Sequence, residues 1–361
     1  MMLVRLVAAH RSDIAIEHRV VSLRSDGRVG ALLAAEGVQV ESLGLTSLTR
    51  LPRTIIALRR HIKAVRPDIV HTWMYHADLF GGVAARAAGI RRILWSVRIA
   101  DITAEMGVAR PTFWIRRACA LLSRRVPSRI LYVAQSARPP HEALGYDASK
   151  ALVIPNGYAV PRMRSGLERR DLRRRMGLPG DALLVGSAGR LSEQKDFPTF
   201  IRAAGLLAAE FPLARFVLMG RQLDRDNEEL VGLVRETGFQ DRFHLLGERS
   251  DIGDCLAALD VFCLHSVQEG FPNVVAEAMA QATPCVVTNV GDAALLVGET
   301  AEVVEPRRPD DLAAAIARLL ATGRAEREAL GRAAHARIER LFSMEAVAAR
   351  YAALYRELMA S

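Results

Sequence analysis

The chain has 361 residues, of which 50% are hydrophobic and 25% charged, and its formal net charge is +9. This length corresponds to about two domains, and the apolar fraction excludes a disordered chain, a collagen and a small disulfide-held scaffold. No apolar run reaches the roughly 18 residues of a membrane span. The cysteines are far apart in the sequence, so we expect buried thiols of a reducing compartment and a cytoplasmic protein. They are Cys119, Cys255, Cys263 and Cys285.

The charge is distributed unevenly along the chain. Residues 1–160 carry a formal balance of +12 and the remainder carries −3. A basic first half indicates an anionic partner such as a membrane surface, a phosphorylated lipid or nucleic acid. A GC-rich genome would give the same arginine-rich composition without such a partner. Aromatic and basic residues do not alternate at the spacing that base stacking needs, so nucleic acid is not an expected partner.

Short apolar runs alternate with amphipathic stretches, beginning with residues 1–9, where Leu3, Leu6 and Val7 share one face at helical spacing. The predicted strands are residues 18–23, 38–43, 68–72, 92–97, 130–134, 152–155, 183–187, 215–219, 243–246, 261–264, 285–288 and 301–304. The predicted helices include residues 52–65, 167–176, 196–210, 273–280, 310–321 and 344–358. This alternation of strands and helices predicts parallel sheets with right-handed crossovers.

A change of composition marks a domain boundary at residues 155–165, where prolines and a glycine interrupt the pattern. We therefore expect an N-terminal domain over residues 1–158 and a C-terminal domain over residues 159–343. Residues 344–361 would form a closing helix that packs back toward the first domain. The predicted fold class is α/β, with two doubly wound Rossmann-like domains facing a cleft. Ligands of such sheets bind beyond the carboxyl ends of the strands.

Residues 266–280 carry the most specific pattern, directly after the predicted strand 261–264. Pro272 or Asn273 begins a helix, and Gly270 allows the backbone to approach a ligand. The free N–H groups of a helix N-terminus bind anions, while Glu269 and Glu277 can accept hydrogen bonds from hydroxyls. This combination describes a site for a sugar nucleotide. The same pattern is also compatible with a simple helix start after a turn.

A second pattern follows the predicted strand 183–187. Gly189 clears space, and Arg190 and Lys195 flank the loop before the next helix. Two fixed cations can neutralise the charge that develops on a leaving diphosphate. Alternatively, Arg190 pairs with surface acids and Lys195 is an ordinary loop lysine.

Together these segments resemble family 4 of the retaining glycosyltransferases, which have the GT-B fold, over nearly the whole chain. Residues 71–76, 153–157, 245–252 and 288–292 contribute to the resemblance. It implies that Arg190 and Lys195 hold the donor diphosphate, that Glu269 contacts the donor sugar, and that Glu277 holds the ribose. The further donor-binding residues expected from it are Gly189, Gly220, Ser250, Ile252, Gly270, Phe271, Pro272, Asn273 and Val274.

The chain departs from the family pattern at two positions. Many relatives have a histidine after the fourth strand of the first domain, where this chain has Arg98, and relatives usually have an aspartate where Ala159 stands. Arg98 can support a phosphate or an acceptor electrostatically, but it cannot act as a base. His76 begins a helical stretch and can face the acceptor. The residues expected at the reacting groups are therefore Glu269, His76 and Arg98.

The expected reaction transfers a sugar from a UDP- or GDP-sugar to a lipid-linked or polysaccharide-precursor acceptor, with retention of configuration. No cofactor or metal is expected, because the cations and the helix N-terminus take that role. The alternatives are a sugar-nucleotide hydrolase or 2-epimerase on the same fold, and a non-catalytic nucleotide- or nucleic-acid-binding protein. The acceptor would bind the basic first domain and the donor the second.

Three further patterns carry expectations of their own. The basic amphipathic stretch 113–125 predicts either a packed helix with a solvated face or contact with the inner membrane surface. Asp224 and Asp226 predict a helix N-cap rather than an Mg²⁺ site.

Relatives begin with a strand and a Gly-rich loop before the helix that residues 1–9 form here. The chain as given would then lack both, leaving a gap or exposed edge in the first sheet and weak or absent transfer, with nucleotide binding retained.

Overall fold

A computed structural model describes residues 1–11, 13–47, 50–99 and 110–360. The chain divides into two compact units. The N-terminal unit contains Met1–Gly157 and the C-terminal helix that begins at Met344, and the second unit is Tyr158–Ser343. Both units are built from parallel strands and helices, as the alternating pattern of the sequence predicted.

The described residues of the N-terminal unit form two parallel sheets. Strands β1 (Arg19–Ser22) and β2 (Gln39–Ser42) form one of them. The other has the order β3-β4-β5-β6, with β3 (Val70–Trp73), β4 (Ile93–Val97), β5 (Arg129–Tyr132) and β6 (Ala151–Val153). The helices of this unit that precede β6 are α1 (Met2–Ala9), α2 (Gly27–Ala35), α3 (Leu51–Val65), α4 (Gly82–Ala87), α5 (Arg110–Leu122) and α6 (Arg138–Ala143). A π-helical turn, Ala77–Gly81, precedes α4.

The second unit has one six-stranded parallel sheet with the order β12-β11-β10-β7-β8-β9. Its strands are β7 (Leu183–Ala188), β8 (Ala214–Met219), β9 (Phe243–Leu245), β10 (Val261–Leu264), β11 (Cys285–Thr288) and β12 (Ala301–Val304). Its helices are α7 (Gly166–Arg175), α8 (Phe197–Glu210), α9 (Glu228–Glu236), α10 (Ile252–Ala258), α11 (Asn273–Ala280), α12 (Ala293–Val297), α13 (Pro309–Ala321) and α14 (Arg324–Phe342). The central strands β7, β10 and β11 are almost completely buried because helices cover both faces of the sheet.

The last helix, α15 (Met344–Ala360), belongs to the N-terminal unit. Its Tyr351 is fully buried in a cluster with Leu94 and Leu131 of the four-stranded sheet. Leu6 of α1 joins the same cluster, while Val4 and Val7 pack on the β1–β2 side. Residues 1–9 therefore form the predicted helix, whose two sides are buried against different apolar clusters.

Most local predictions are confirmed, with differences of one or two residues at the ends of elements. All four cysteines are buried free thiols. The cap prediction for Asp224 and Asp226 is wrong: Asn227 caps α9 by accepting a hydrogen bond from the Leu230 amide at 3.2 Å. Asp224 instead accepts the Asp226 amide in a local turn. Within the described residues, no helix combines the length and apolar character needed to cross a bilayer.

Gly220 lies where two loops of the second unit approach each other closely. Gly220 has φ +137°, its amide donates to the Gly247 carbonyl at 2.7 Å, and a Cβ on it would collide with the Gly189 carbonyl. Gly220→Ala should therefore lower the free energy of unfolding by about 1–3 kcal/mol. In contrast, a Cβ on Gly232, inside α9, would meet no neighbour within 4 Å.

Urea denaturation followed by circular dichroism measures both variants. The matched control Gly232→Ala should raise the free energy of unfolding by about 0.5–1 kcal/mol, because alanine loses less backbone entropy in a helix. Equal stability of Gly220→Ala and the unmodified protein would show that the two loops can separate at no cost.

Candidate donor-binding site

Predicted donor-binding residues follow three neighbouring strands of the second unit, and Gly291, from the segment 288–292 that contributes to the family resemblance, follows a fourth. Arg190 follows β7, Gly220 follows β8, Glu269 follows β10 and Gly291 follows β11. These strands are adjacent in the sheet and parallel, so the loops that follow them lie side by side. Segments separated by as many as 100 residues in the sequence are thereby gathered at one edge.

Glu269 is held by two donors on the same carboxylate oxygen. Lys195 Nζ donates to Glu269 Oε1 at 2.5 Å, and Ser266 Oγ donates to the same atom at 2.8 Å. Both side chains of the ion pair are largely buried, with exposed fractions of 25% for Lys195 and 13% for Glu269. Within the described part of the chain no partner is found for Oε2. This second oxygen is therefore the one available to a ligand hydroxyl.

The loop that carries Glu269 is anchored on both sides. The Val267 amide donates to the Gln194 carbonyl at 2.9 Å, which ties it to the loop of Lys195. On the other side, Thr288 Oγ1 donates to the Ser266 carbonyl at 2.7 Å. These bonds restrict the loop before any ligand arrives, and preorganised groups bind a ligand at a lower entropic cost.

Glycines allow the neighbouring loops to approach closely. Gly291 has φ +55°, and a Cβ on it would meet the carbonyl oxygens of Glu269 and Gly270 at 2.5 Å. The next amide, of Asp292, donates to the Gly270 carbonyl at 2.9 Å. The side chain of Lys195 lies over Gly189, with Cε 3.4 Å from the position of a Cβ. At Gly291 a larger residue would push the two loops apart, whereas a Cβ at Gly189 would be in ordinary van der Waals contact with the Lys195 side chain.

Helix α11 begins beside Glu269. Pro272 is its N-cap residue and Asn273 its first residue, and no side chain caps it. Phe271 is buried and stacks with Tyr158, whose hydroxyl donates to Asn273 Oδ1 at 2.6 Å. Because the Phe271 ring points into the core, this segment presents backbone rather than side chain. Val274 and Glu277 are half-buried on the first two turns.

The remaining predicted donor contacts lie at the surface. Arg190 is exposed, and no ion pair or hydrogen bond of its guanidinium is found among the residues that the structure describes. Ser250 is exposed just before α10, which begins at Ile252. Between them, Asp251 forms a two-bond ion pair with Arg249 at 2.8 and 2.7 Å. Arg190 is thus available to an anion, whereas the loop before α10 is held by its own ion pair.

A buried histidine lies at the start of the loop that carries Glu269. His265, the residue after β10, shares a hydrogen bond of 2.7 Å with Ser187 Oγ and packs against the rings of Phe197 and Phe200. Burial lowers its pKa to about 3, so it is neutral at physiological pH. This histidine positions the loop and carries no charge toward a ligand.

The two predicted residues of the N-terminal unit differ in environment. Arg98, after β4, donates to Tyr351 Oη at 3.2 Å and to Asn156 Oδ1, and it lies over the Trp73 ring at 5.1 Å. His76 is exposed just before the π-helical turn, and partial desolvation of its imidazole, together with the nearby Arg24 cation, lowers its pKa. Arg98 is therefore fixed in place, whereas His76 can reach a ligand. His71 is a core residue whose Nδ1 lies 2.9 Å from Tyr355 Oη.

Sequence reasoning assigned no role to two residues that organise this site. Ser266 orients Glu269, and Tyr158 orients Asn273. The position of Ser266, three residues before the acid in the same loop, was a usable signal. Tyr158 lies 115 residues from its partner, and no local pattern connects the two.

Comparison with known proteins agrees with this arrangement. Residues 4–161 match the sequence profile described as Glycosyltransferase Family 4, and residues 182–322 match the one described as Glycosyl transferases group 1. The lipopolysaccharide core biosynthesis mannosyltransferase LpsB of Rhizobium meliloti is 30% identical over 307 residues, covering 81% of this chain and 84% of the relative. The chain belongs to glycosyltransferase family 4.

Two further similarities extend this assignment. An Escherichia coli protein named UDP-Gal:alpha-D-GlcNAc-diphosphoundecaprenol alpha-1,3-galactosyltransferase is 28% identical over 249 residues, which span 68% of this family 4 chain and 63% of the relative. The crystal structure of Anabaena HepE in complex with UDP superposes with a TM-score of 0.83 at 22% identity, covering 99% of this chain and 95% of the other. The predicted GT-B fold is thereby confirmed.

Proposed function

We propose that this family 4 chain transfers a sugar from a nucleoside diphosphate sugar, a UDP- or GDP-sugar, to a lipid-linked or polysaccharide-precursor acceptor. The bond between the anomeric carbon and the diphosphate oxygen breaks, and a bond to the oxygen of an acceptor hydroxyl forms. That hydroxyl releases its proton, and the nucleoside diphosphate leaves. Family membership favours retention of the anomeric configuration. The E. coli relative is named for a UDP-sugar donor and a diphosphoundecaprenol-linked acceptor, and HepE crystallised with UDP, which supports this choice.

The observation that carries the proposal is the Lys195–Glu269 pair at the start of α11. Lys195 and Arg190 would bind the diphosphate, Glu269 Oε2 would accept a sugar hydroxyl, and the backbone from Gly270 to Val274 would line the sugar and phosphate. The first N–H groups of a helix favour an anion at that point. An ammonium between a carboxylate and a diphosphate lowers the repulsion between these two anions.

The remaining roles follow the order of the loops along the sheet. Glu277, one turn further along α11, would hold the ribose. The backbone at Gly189 and Gly220 would face the phosphates, and Ser250 and Ile252 would flank the base. In the N-terminal unit, His76 and Arg98 would face the acceptor.

The helix α5 supports an acceptor at a membrane surface. Ile115 and Cys119 are buried, whereas Trp114 is 65% and Leu121 80% exposed. Phe113 is also exposed, and the guanidinium carbon of Arg117 lies 5.3 Å from the centroid of its ring. Arg124 and Arg125 are exposed beyond the end of the helix, while Arg116 points inward against the Tyr75 ring. Exposed aromatic and aliphatic side chains flanked by arginines are typical of helices that lie on anionic bilayers.

Lys195→Ala should weaken the binding of UDP or GDP by about 2–4 kcal/mol, because it removes one partner from a partly desolvated charge pair. Isothermal titration calorimetry with both nucleoside diphosphates measures the change and also identifies the base. The control is Lys63→Ala, which removes an exposed lysine from α3 in the N-terminal unit. Equal affinities of Lys195→Ala and the unmodified protein would remove Lys195 from the diphosphate site.

Substitution of Glu277 and substitution of Glu269 should have different effects on donor binding and turnover. Glu277→Ala should weaken free nucleoside diphosphate and sugar-linked donor alike, because the ribose is common to both. Glu269→Ala should keep the affinity for the free diphosphate, since it frees the Lys195 ammonium, but it should lose turnover. Transfer to a lipid-linked acceptor and release of free sugar are measured in parallel. The opposite pattern for the two variants would exchange their roles, and sugar release without acceptor at the full rate would favour a hydrolase.

The outward face of α5 should bind anionic vesicles. Arg124→Gln combined with Arg125→Gln should weaken this binding about 30-fold, from about 1 kcal/mol for each arginine near the surface. Sedimentation with phosphatidylglycerol vesicles at increasing salt measures it, and binding should fade as the Debye length shortens. Leu206→Ser combined with Leu213→Ser, which removes exposed leucines of the second unit, is the control. Absence of binding at low salt would make α5 an ordinary solvated helix.

A further inference from the structure

A cavity of about 290 Å³ opens in the second unit at the end of the sheet opposite the predicted donor site. Leu183, the first residue of β7, lines it together with Asp260 and Pro284, which directly precede β10 and β11. β7 has six residues, so the cavity and the donor-side loops are about 20 Å apart. A ligand of this cavity would not compete for the loops that carry Lys195 and Glu269.

The lining is strongly basic. Five arginines and three carboxylates surround the space, which leaves an excess of two positive charges. The arginines are Arg169, Arg170, Arg173, Arg324 and Arg327, and the acids are Asp181, Asp260 and Glu328. Such a concentration of guanidinium groups is the arrangement that proteins use for phosphate groups.

Two of the arginines are structural. Arg173 Nε donates to the Ala258 carbonyl at 2.8 Å, and Arg327 donates to carbonyls at the end of α13. These bonds satisfy the last carbonyls of α10 and α13 and fix the floor of the cavity. Asp260 neutralises part of this floor through a contact of 2.8 Å with Arg173.

The other three arginines form the side of the cavity that a ligand reaches. Arg169 Nη2 donates to the carbonyl of Leu259, just after α10, and lies 3.7 Å from Asp260 Oδ1. Arg324 Nε pairs with Glu328 Oε1 at 2.8 Å. Arg170 is exposed, and the described part of the chain provides no ion-pair partner for it. Burial, reinforced by the cations of Arg173 and Arg324 and opposed by Asp260, lowers the pKa of the Arg169 guanidinium. On this side of the cavity the three guanidinium groups thus face two carboxylates, Asp260 and Glu328.

Two helices begin at the same cavity. Gly166 and Arg324, the first residues of α7 and α14, both line it. A capping box of Ser165 and Glu168 closes the start of α7, whereas no side-chain cap of α14 is found among the described residues. The positive end of the α14 dipole therefore adds to the charge of the arginines. A Cβ on Gly166 would lie 2.5 Å from Arg324 Nη2, so the absence of a side chain lets this guanidinium rest against the first turn of α7.

We propose that this cavity is a binding site for a small phosphate-bearing molecule, separate from the donor site. Arg170, Arg324 and Arg169 contact the phosphate oxygens, and Arg173 and Arg327 hold the floor. The volume is at the small end of ligand pockets, which fits a diphosphate or a phosphorylated sugar rather than a whole nucleotide sugar. Bound phosphate bridges α7 and α14 and stabilises the second unit.

The test measures the binding of inorganic phosphate and of inorganic diphosphate to the protein by isothermal titration calorimetry. The ionic strength is held constant, with chloride as the balancing anion. The cavity variant is Arg170→Gln combined with Arg324→Gln, since both positions are exposed and their replacement spares the floor. The charge-matched control is Arg202→Gln combined with Arg235→Gln, two exposed helix positions outside the cavity lining. Gly166→Ala displaces the Arg324 guanidinium without changing the net charge.

We expect saturable binding to the unmodified protein, at least tenfold weaker binding by the cavity variant, and unchanged binding by the control. Gly166→Ala should also weaken binding, and thermal denaturation should show that all variants remain folded. Phosphate that occupied only the predicted diphosphate site would be insensitive to the cavity variants. Equal affinities of the cavity variant and the control, or no saturable binding by the unmodified protein at tens of millimolar, would overturn the proposal.

Discussion

Parallel pairing constrains the whole second unit. A strand that is followed by a crossover helix must begin again at the same edge of the sheet, so every loop that follows a strand emerges at the opposite edge. Arg190, Gly220, Glu269 and Gly291 come from four such loops, and the strand order β11-β10-β7-β8 makes these loops neighbours. The helices hold this order by burying apolar surface such as Phe197 and Phe200 against the sheet. The site thus inherits its rigidity from the core.

The same constraint separates the two charged regions of this unit. The carboxyl-end loops are short, rich in glycine, and carry Lys195 and Glu269 as a linked pair. The amino ends meet helices α7 and α14, whose arginines satisfy the carbonyls that α10 and α13 leave unpaired. A helix end that is buried requires such partners, and arginine can supply several donors at once. Positive charge therefore accumulates at the amino ends of the strands mainly because arginines are needed there to pair with helix-end carbonyls. The arginines outnumber the nearby carboxylates, and this excess positive charge is available to a ligand.

The sequence was sufficient to predict the strands and many of the helices, because their apolar spacing is local. Strands β10, β11 and β12 have the predicted bounds, and the spacing of Leu3, Leu6 and Val7 indicated α1. The donor-side loops could also be found, since each follows a recognisable buried strand. The bond of Ser266 to Glu269 and the choice of Asn227 rather than Asp226 as the α9 cap depend on side-chain rotamers, which spacing does not determine. The arginine cavity was not predicted at all, because its residues come from segments about 150 positions apart that share no pattern.

The pairing of Lys195 with Glu269 changes what the lysine can do. An ammonium has three N–H donors, and the bond to Glu269 Oε1 uses one of them. If the proposed donor binds here, the other two can reach phosphate oxygens while the carboxylate keeps its orientation. The anion that binds the sugar and the anion that leaves would then share one cation, so the charge of the diphosphate would be compensated without releasing Glu269. The stem of Lys195 lies on Gly189. An arginine at this position would present its donors in a rigid planar fork, whereas the ammonium can turn its three N–H groups toward a carboxylate and a phosphate at the same time. The requirement at position 195 is therefore for a compact cation and not merely for a positive charge.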